Sequence, residues 1–248
     1  MAGHSKWNNI KRKKAANDDR RGKLWSKLAR NVIVAAKNGG GDPNMNLALR
    51  YAIEKARAAN MPTDTIDKAV KKGTGELGGA EYVPAVYEGY GAAGVAVIVD
   101  VLTDNVNRTG PEIKKIFERG GGKLGPANCV GWNFQTKGIL VIQCGDADEN
   151  TLMEIALESG ADDVKREGEI FEVSCEVQAF DGVKRALEEK QIALQSADIS
   201  KIPGSTIEVD QRSGAKILRL IEAFEEHDDV QNVYSNFEMS EEVMAQLQ

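Results

Sequence analysis

Histidine and cysteine, on which most metal sites and many catalytic centres depend, are scarce in this sequence, which has two of the first and three of the second. Cys129, Cys144 and Cys175 share no C-x-x-C spacing, so we expect no zinc site and three free thiols in a reducing compartment. Neither His4 nor His227 has an orienting partner visible in the sequence. Nucleophile-elbow, HExxH and paired-carboxylate motifs are all missing. The sequence therefore predicts no enzyme, no metal and no cofactor.

Long apolar runs are missing too. The longest extends from Val95 to Val99, far short of the roughly 20 residues that span a bilayer. The first 31 residues contain no apolar stretch of the kind found in secretory signal peptides. We therefore expect a cytoplasmic protein with no membrane partner. The apolar content of 42% is still ample for packed cores, and 248 residues are typical of two or three domains.

The charges are distributed very unevenly along the chain, although the net charge is only −6. Residues 1–75 carry 17 Lys and Arg against 6 Asp and Glu, a balance of +11, whereas residues 76–248 carry 15 against 32, a balance of −17. Such asymmetry indicates a basic segment for a polyanion attached to an acidic body. The acidic body would also discourage indiscriminate binding to phosphate backbones.

The first 79 residues are predicted to be helical. After a basic arm over residues 1–24, the apolar residues from Leu24 to Ala35 follow an i, i+4 spacing, which predicts an amphipathic helix ending near Gly39. A second helix is predicted from near Pro43 to about Asn60, and a third after Pro62. Short connections between three helices indicate a small bundle.

The rest of the chain predicts strands mixed with helices. Two strands over 85–102 and a helix over 105–119 are followed, from residue 138, by the order β-α-β-β-α-β of a ferredoxin-like unit. The last segment is too small to bury its own core, so we expect it to complete the sheet begun at residues 82–101. The predicted fold class is α+β, with both α/β domains of ferredoxin-like character. The predicted domains are 1–79, a discontinuous 80–132 plus 206–248, and an inserted 133–205.

The basic N-terminal segment is the first candidate for nucleic-acid contact. Each Lys or Arg placed on a phosphate releases counterions, and roughly 6–10 such contacts make binding steeply salt-dependent. The simpler alternative is a solvated charged surface, and for the tryptophan both base stacking and docking remain open. Charge alone does not distinguish DNA from RNA. The predicted contacts are Lys6, Trp7, Lys11, Arg12, Lys13, Lys14, Arg20, Arg21, Lys23, Lys27 and Arg30.

A second candidate lies where a predicted strand passes into a helix. Asn105 and Asn107 are suited to capping, which is the simpler interpretation. Arg108 is harder to explain, because the dipole at a helix N-terminus favours anions. A guanidinium beside that terminus predicts a small anion site formed by these three residues. The glycine-rich segments 73–79 and 120–125 lack the GK[ST] ending of a nucleotide-binding loop, so we predict no small-molecule substrate.

Several motifs together resemble the YebC family over essentially the whole chain. The residues that carry the resemblance are the opening Met1 to Lys11, Asp42-Pro43-Asn44, Met61-Pro62, Tyr87 to Gly91, Asp104 to Thr109, and Gly131-Trp132-Asn133-Phe134. The resemblance implies a helical N-terminal domain and two α/β domains around a cleft. It also implies a transcriptional regulator that binds DNA. Relatives of that family, including a mitochondrial one, act in translation and help ribosomes through proline runs.

Three hypotheses for function follow. The favoured one is a DNA-binding transcriptional regulator, although no helix stands out as a recognition helix. The alternative is a ribosome-associated translation factor that binds ribosomal RNA and relieves stalling. A third hypothesis, a protein-binding adaptor, would use only the acidic α/β domains and leaves the basic arm unexplained.

Reversing the charge of the arm tests its role directly. We expect the triple change Arg12→Glu, Lys13→Glu and Lys14→Glu to abolish nucleic-acid binding and leave the fold intact, because it removes phosphate contacts and adds repulsion. Electrophoretic mobility shift measures the first effect and circular dichroism the second. Unchanged affinity would exclude the arm from the interface.

Overall fold

The computed structural model of the chain describes residues 18–78 and 81–246. Two compact units make up the structure. Trp132–Thr206 form one of them, and the described residues up to Gly131 together with those from Ile207 onward form the other. Each unit mixes helices with sheet, and the predicted α+β class is confirmed. The predicted division into three domains stays a prediction.

The larger unit begins with three helices that enclose one apolar core. Their bounds are α1 Asp18–Gly39, α2 Leu47–Ala58 and α3 Thr63–Gly73. Val32, Leu49 and Ile66 are almost fully buried between them. Trp25 packs against the same core and donates its indole N–H to the carbonyl of Ala59 at 3.0 Å. Its partial burial suits a side chain with one polar atom.

The start of α2 differs from the sequence-based prediction. The helix begins at Leu47 rather than near Pro43, because Asn46 is its N-cap and accepts a hydrogen bond from the Leu49 N–H at 3.0 Å. The Asn46 amide also donates to the carbonyls of Ala35 and Gly40, both at 2.8 Å. One buried side chain therefore closes the turn between α1 and α2 and satisfies backbone groups on both sides of it.

A four-stranded antiparallel sheet forms the rest of the larger unit. Its strands are β1 Val83–Tyr90, β2 Ala96–Thr103, β3 Lys123–Leu124 and β9 Val230–Ser235, in the order β3-β1-β2-β9. Two helices, α4 Val106–Arg119 and α7 Gln211–Glu225, pack together beside the sheet, with Phe117 and Phe224 edge to face at 4.7 Å. β2 is buried at every position except Asp100, which is half-buried, as its β-branched composition predicts.

Short elements complete the larger unit. β8 Ile207–Glu208 and β10 Phe237–Glu238 form a parallel pair, and the helix α8 Glu241–Gln246 follows. Asn236, between β9 and β10, accepts a hydrogen bond from the Ala96 N–H at 2.7 Å. This bond ties the C-terminal segment to the first residue of β2.

The smaller unit has the element order β-α-β-β-α-β. Its elements are β4 Phe134–Gln143, α5 Glu149–Glu158, β5 Ala161–Glu167, β6 Ile170–Cys175, α6 Phe180–Glu189 and β7 Leu194–Pro203. The strands pair antiparallel in the order β5-β6-β4-β7. Asn133 closes the unit at its base, since its carbonyl accepts from Gly204 N–H at 2.6 Å and its side chain from Ser205 N–H at 3.0 Å.

Gly73 fixes how closely α3 approaches α1. A Cβ at Gly73 would lie 2.4 Å from the carbonyl oxygen of Ile33 and 2.6 Å from the Cβ of Ala36. Because backbone atoms of α1 cannot move aside freely, we expect Gly73→Ala to destabilise the protein by about 1–3 kcal/mol. Gly22 in α1 is the matched control, since a Cβ there meets nothing within 4 Å.

The control change Gly22→Ala removes glycine from an exposed helix and is expected to stabilise by about 0.5–1 kcal/mol. Thermal unfolding followed by circular dichroism compares the two. Equal melting temperatures for both variants would contradict the close packing of α3 on α1.

Candidate nucleic-acid interface

Most of the predicted arm contacts lie outside the described residues, namely Lys6, Trp7, Lys11, Arg12, Lys13 and Lys14. Arg20 lies in the first turn of α1, and its side chain is not among those described. Arg21 and Lys23 follow it on the same helix and are exposed to solvent. These two side chains are therefore accessible to a phosphate backbone.

Further along α1, Lys27 and Arg30 contact the chain's own C-terminal segment. The Lys27 ammonium donates to the carbonyl of Glu225 at 2.6 Å. Arg30 donates to the carbonyl of Asp228 and, at 3.0 Å, to the carboxylate of Asp229. Both predicted contacts thus hold α1 against the segment that joins α7 to β9.

Arg30 also contacts the segment that follows the three helices. Its guanidinium lies over the ring of Tyr82, 5.3 Å from the ring centroid. Nearby, the Lys37 ammonium pairs with Glu81 at 3.0 Å. Two cations on one side of α1 therefore fix the segment that leads into β1. The cation–π contact is worth about 0.5–1 kcal/mol in such a partly exposed setting.

Asp229 is the centre of this contact region. Its side chain is only 3% exposed, yet both carboxylate oxygens are satisfied. Oδ1 accepts from Arg30, and Oδ2 accepts from Arg108 at 2.7 Å, from the Thr109 hydroxyl at 2.7 Å and from the Thr103 hydroxyl at 3.0 Å. A buried carboxylate is tolerated only when it is paired and hydrogen-bonded in this way. One side chain thereby connects α1, the end of β2 and the start of α4.

The two threonines form a chain of hydrogen bonds that leads to the carboxylate. The Asn105 N–H donates to the Thr103 hydroxyl at 3.0 Å, and the two hydroxyl oxygens lie 2.7 Å apart. Each hydroxyl has one proton, and both hydroxyls also lie within hydrogen-bond distance of Asp229 Oδ2, so these two protons are shared between the carboxylate and the contact between the hydroxyls. Connected hydrogen bonds of this kind polarise one another.

Arg108 faces an anion that the chain itself supplies. Its guanidinium pairs with Asp229 at 2.7 Å and with Asp104 at 2.9 Å, although the side chain is 44% exposed. These two carboxylates account for the cation at the start of α4, where the helix dipole alone would disfavour it. As nucleic-acid contacts, Arg30 and Arg108 stay predictions that require phosphate to bind beside carboxylates already in place.

The two asparagines of the second candidate site differ in their surroundings. Asn105 is the N-cap of α4, and its side chain accepts from the Arg108 N–H at 3.1 Å. Asn107 lies in the first turn and is exposed. Asn105 therefore caps the helix. Asn107 remains a predicted nucleic-acid contact on the outer side of the helix.

The charges around Asp229 shift the pKa values of its neighbours. Burial opposes ionisation of Asp229, but the hydrogen bonds from Thr109, Arg108 and Thr103 outweigh it and hold the pKa of the carboxyl below its ordinary value. The hydrogen bond from Arg108 to Asp229 raises the pKa of the guanidinium further. Burial, and then the negative charge of Asp229, raise the pKa of Tyr87. The carboxylate is therefore charged throughout the physiological pH range.

His227 supports the backbone of Asp229 from the other side. Its Nδ1 accepts from the Asp229 N–H at 3.1 Å, so the proton of the neutral ring is on Nε2, which lies 3.0 Å from the Glu112 carboxylate. The Asp229 carbonyl accepts from the Leu102 N–H at 2.8 Å. The main chain at Asp229 is therefore bonded directly to β2 and, through His227, contacts α4.

The sequence-based reasoning missed Asp229, Thr103, Thr109 and His227. A signal for them was present in part, because Arg108 at the start of a helix has the wrong charge for the helix dipole and requires an anion. Nothing in the sequence says that this anion comes from a residue so far along the chain.

It also missed a group of exposed cations on the other two helices of the bundle. They lie off the apolar faces of α2 and α3 and point to solvent, which is the pattern that could have identified them. These residues are Lys55, Arg57, Lys68, Lys71 and Lys72. Lys55 and Arg57 are in the last turn of α2, and Lys71 and Lys72 in the last turn of α3, where cations also suit the helix dipole.

Neither a metal site nor a membrane span is found in the part of the chain that the structure describes. Within residues 18–78 and 81–246, no group of three His, Cys, Asp or Glu side chains is arranged to hold a metal ion. None of the helices there combines the length and apolar content needed to cross a bilayer.

Two family models match most of the sequence. A model described as the TACO1/YebC protein N-terminal domain matches residues 5–76, and one described as the TACO1/YebC second and third domain matches residues 82–237. The contact region around Asp229 thus involves residues from both matched segments, since Arg30 belongs to the first and Asp229 to the second.

Curated relatives and a solved structure resemble the chain over nearly its full length. A protein of Halothermothrix orenii is 49% identical over 250 residues, covering 100% of this chain and 99% of the relative. One of Persephonella marina is 48% identical over 249 residues, covering 100% of both. Both are named "Probable transcriptional regulatory protein". The crystal structure of a conserved hypothetical protein from Aquifex aeolicus, 42% identical, matches with a TM-score of 0.82 over 90% of this chain and 93% of that one.

Replacing Asp229 is expected to weaken the whole contact region. Asp229→Asn keeps the shape but leaves two guanidiniums facing a neutral amide, and we expect a loss of about 3 kcal/mol in the free energy of unfolding. The adjacent Asp228 is exposed and uses only its carbonyl, so Asp228→Asn should change stability by less than about 0.5 kcal/mol. Urea denaturation measures both variants.

The stability difference between wild type and Asp229→Asn is expected to depend on pH. Because the folded-state pKa of Asp229 is lowered, its stabilisation is complete above the unfolded carboxyl pKa of about 3.9 and is lost as pH falls through the folded-state pKa. The difference between wild type and Asp229→Asn should therefore shrink as the solution is acidified below about pH 4. A difference that stays constant with pH would show that the charge of Asp229 contributes nothing.

Proposed function

Because the chain belongs to the TACO1/YebC family, we propose that it is a regulatory protein that binds nucleic acid through its basic N-terminal helices and controls transcription by binding DNA. The names of its relatives describe a regulatory protein and not an enzyme. The observation that carries the proposal is the separation of charge, with +11 concentrated in the first 75 residues and −17 in the remainder. A basic surface on an acidic protein attracts a polyanion to one place.

The structure of the helical bundle supports this use of its charge. Lys27 and Arg30 bind the C-terminal segment of the same unit, whereas Lys23, Arg57, Lys68, Lys71 and Lys72 are exposed to solvent. The apolar faces of the three helices are occupied by their shared core. The cations are therefore presented on a folded scaffold, and their positions relative to one another are fixed.

The attachment of the bundle to the sheet gives binding a defined orientation. Phosphate contacts fix the position of a protein on a duplex, and base contacts specify the sequence. With Arg30 held by Asp229, a phosphate backbone bound to the exposed cations would meet the start of α4 at a fixed distance from α1. Asn107, exposed in the first turn of α4, is the polar side chain there that we propose for a further contact.

Salt dependence and competition test the proposal. We expect the purified protein to prefer duplexes from promoter regions over random duplex at about 150 mM salt, where nonspecific binding is weak. The triple change Lys68→Gln, Lys71→Gln and Lys72→Gln should make the slope of log K against log salt shallower by about 2–3, at about 0.9 for each lost phosphate contact. Fluorescence anisotropy titrations at several salt concentrations measure both effects.

Three outcomes separate the functional hypotheses. Equal binding to all duplexes would contradict sequence-directed regulation. Preference for ribosomal RNA over every duplex, with association to ribosomes that survives DNase on a sucrose gradient, would replace the transcriptional role by the translational one. Failure to bind any nucleic acid at low salt would overturn the proposal as a whole.

A further inference from the structure

A second group of exposed cations lies on the acidic part of the chain, along α7. Arg212, Lys216 and Arg219 are spaced i, i+4 and i+7, which places them on one side of the helix. All three are exposed, whereas the large apolar residues of α7 are buried, namely Ile217, Leu218, Leu220, Ile221 and Phe224. We call these three cations the α7 stripe.

The packing of α4 brings a fourth cation to the level of Leu220, which follows Arg219 of the stripe. Glu112 of α4 contacts His227 just beyond α7, and Gly120, next to the end of α4, lies against Leu220, where an added Cβ would be 2.6 Å from Leu220 Cδ1. The two helices are therefore antiparallel, and the end of α4 meets the middle of α7. Arg119, the last residue of α4, is exposed there.

The three side chains of the α7 stripe form no ion pair or hydrogen bond with another described side chain, in contrast to Arg30 and Arg108. The acidic residue nearest in sequence, Asp210, is the N-cap of α7 and accepts from the Ser213 N–H at 2.7 Å. Hydrogen bonds from Ser213, and then the positive charges of Arg212 and Lys216, lower the pKa of Asp210, so this carboxylate is an electrostatic neighbour of the stripe but forms no ion pair with it.

Two physical arguments oppose the stripe as a purely structural feature. The first turn of a helix favours anions, so Arg212 carries the unfavourable charge for its position, and the first turn of α7 contains no acidic residue. The N-cap carboxylate of Asp210 is the acidic group beside it, and that group accepts hydrogen bonds from Ser213. The stripe also lies within the part of the chain whose balance is −17. Positions that break a local rule are expected at functional surfaces.

We propose that the α7 stripe, together with Arg119, binds the phosphate backbone of the nucleic acid that the basic N-terminal helices also bind. The inference rests on the proposed function and extends it to a second surface. At a rise of 1.5 Å per residue, Arg212 and Arg219 are about 10 Å apart along the helix axis. One strand of a duplex carries a phosphate every 3.4 Å or so along its axis, so the stripe spans about three of them.

Neutralising the stripe tests the inference. For the triple change Arg212→Gln, Lys216→Gln and Arg219→Gln, we expect affinity for a duplex to fall by tenfold or more at about 150 mM salt, and the salt slope to become shallower by about 2–3. The matched control is Lys165→Gln, Arg185→Gln and Lys190→Gln, which removes three exposed cations from the smaller unit. We expect its affinity and slope to equal those of wild type.

A charge-conserving variant separates binding from folding. Arg212→Lys with Arg219→Lys keeps the positive charge and should retain most of the affinity, since phosphate neutralisation requires only a cation. Equal loss of binding in this variant and in the glutamine variant would overturn the inference. So would a glutamine variant with unchanged affinity and slope.

Failure of the inference about the α7 stripe can be distinguished from failure of the proposed function. If the arm variant Arg12→Glu, Lys13→Glu and Lys14→Glu loses binding while the α7 variant does not, the N-terminal interface stands and the second surface is wrong. If wild-type protein binds no nucleic acid, both proposals fall. Anisotropy titrations of wild type and these two variants under one set of salt conditions give the answer.

Discussion

The larger unit depends on the pairing of one buried carboxylate with two guanidiniums. Asp229 receives Arg30 from the helical bundle and Arg108 from the helix beside the sheet, and two threonine hydroxyls complete its hydrogen bonds. Removing the carboxylate would leave the two guanidiniums without this partner, and an uncompensated charge in a buried site is destabilising. The bundle, the end of β2 and the start of α4 therefore stabilise one another through Asp229, and the orientation of the basic surface follows from this contact together with those of Lys27 and Lys37.

The cations of the chain serve two purposes that the net charge conceals. Arg30 and Arg108 are used internally, where each neutralises a carboxylate and fixes a helix. The exposed lysines of α3 and the cations along α7 form no ion pair with a described carboxylate, and their charges are available to a polyanion. Whether a cation can bind a polyanion thus depends on whether it already forms an ion pair with a carboxylate of the same chain.

Much of the secondary structure could be predicted from the sequence, because the local patterns were strong. The β-branched run that forms β2, the amphipathic spacing of α1 and the order of elements in the smaller unit all follow from residues close together in the chain. The predicted start of α2 was wrong by a few residues. Asp42 and Asn46 are both good N-cap residues, and only the structure shows that Asn46 is buried and caps the helix. The partners of Arg30 and Arg108 could not be predicted, because pairing over such separation has no periodic signal.

The strand β9 is an edge strand of a sheet whose other strands come much earlier in the chain. Its partner β2 is complete at Thr103, but the whole smaller unit separates it from Val230. During synthesis at 5–20 residues per second, β2 therefore waits on the order of ten seconds for the strand that covers it. In that interval its open edge is a template for pairing with other chains. The nascent protein thus exposes an unpaired strand edge until β9 is made. The hydrogen bond between Ser205 and Asn133 joins the two ends of the smaller unit, so once this unit has folded it shortens the flexible chain between β2 and β9.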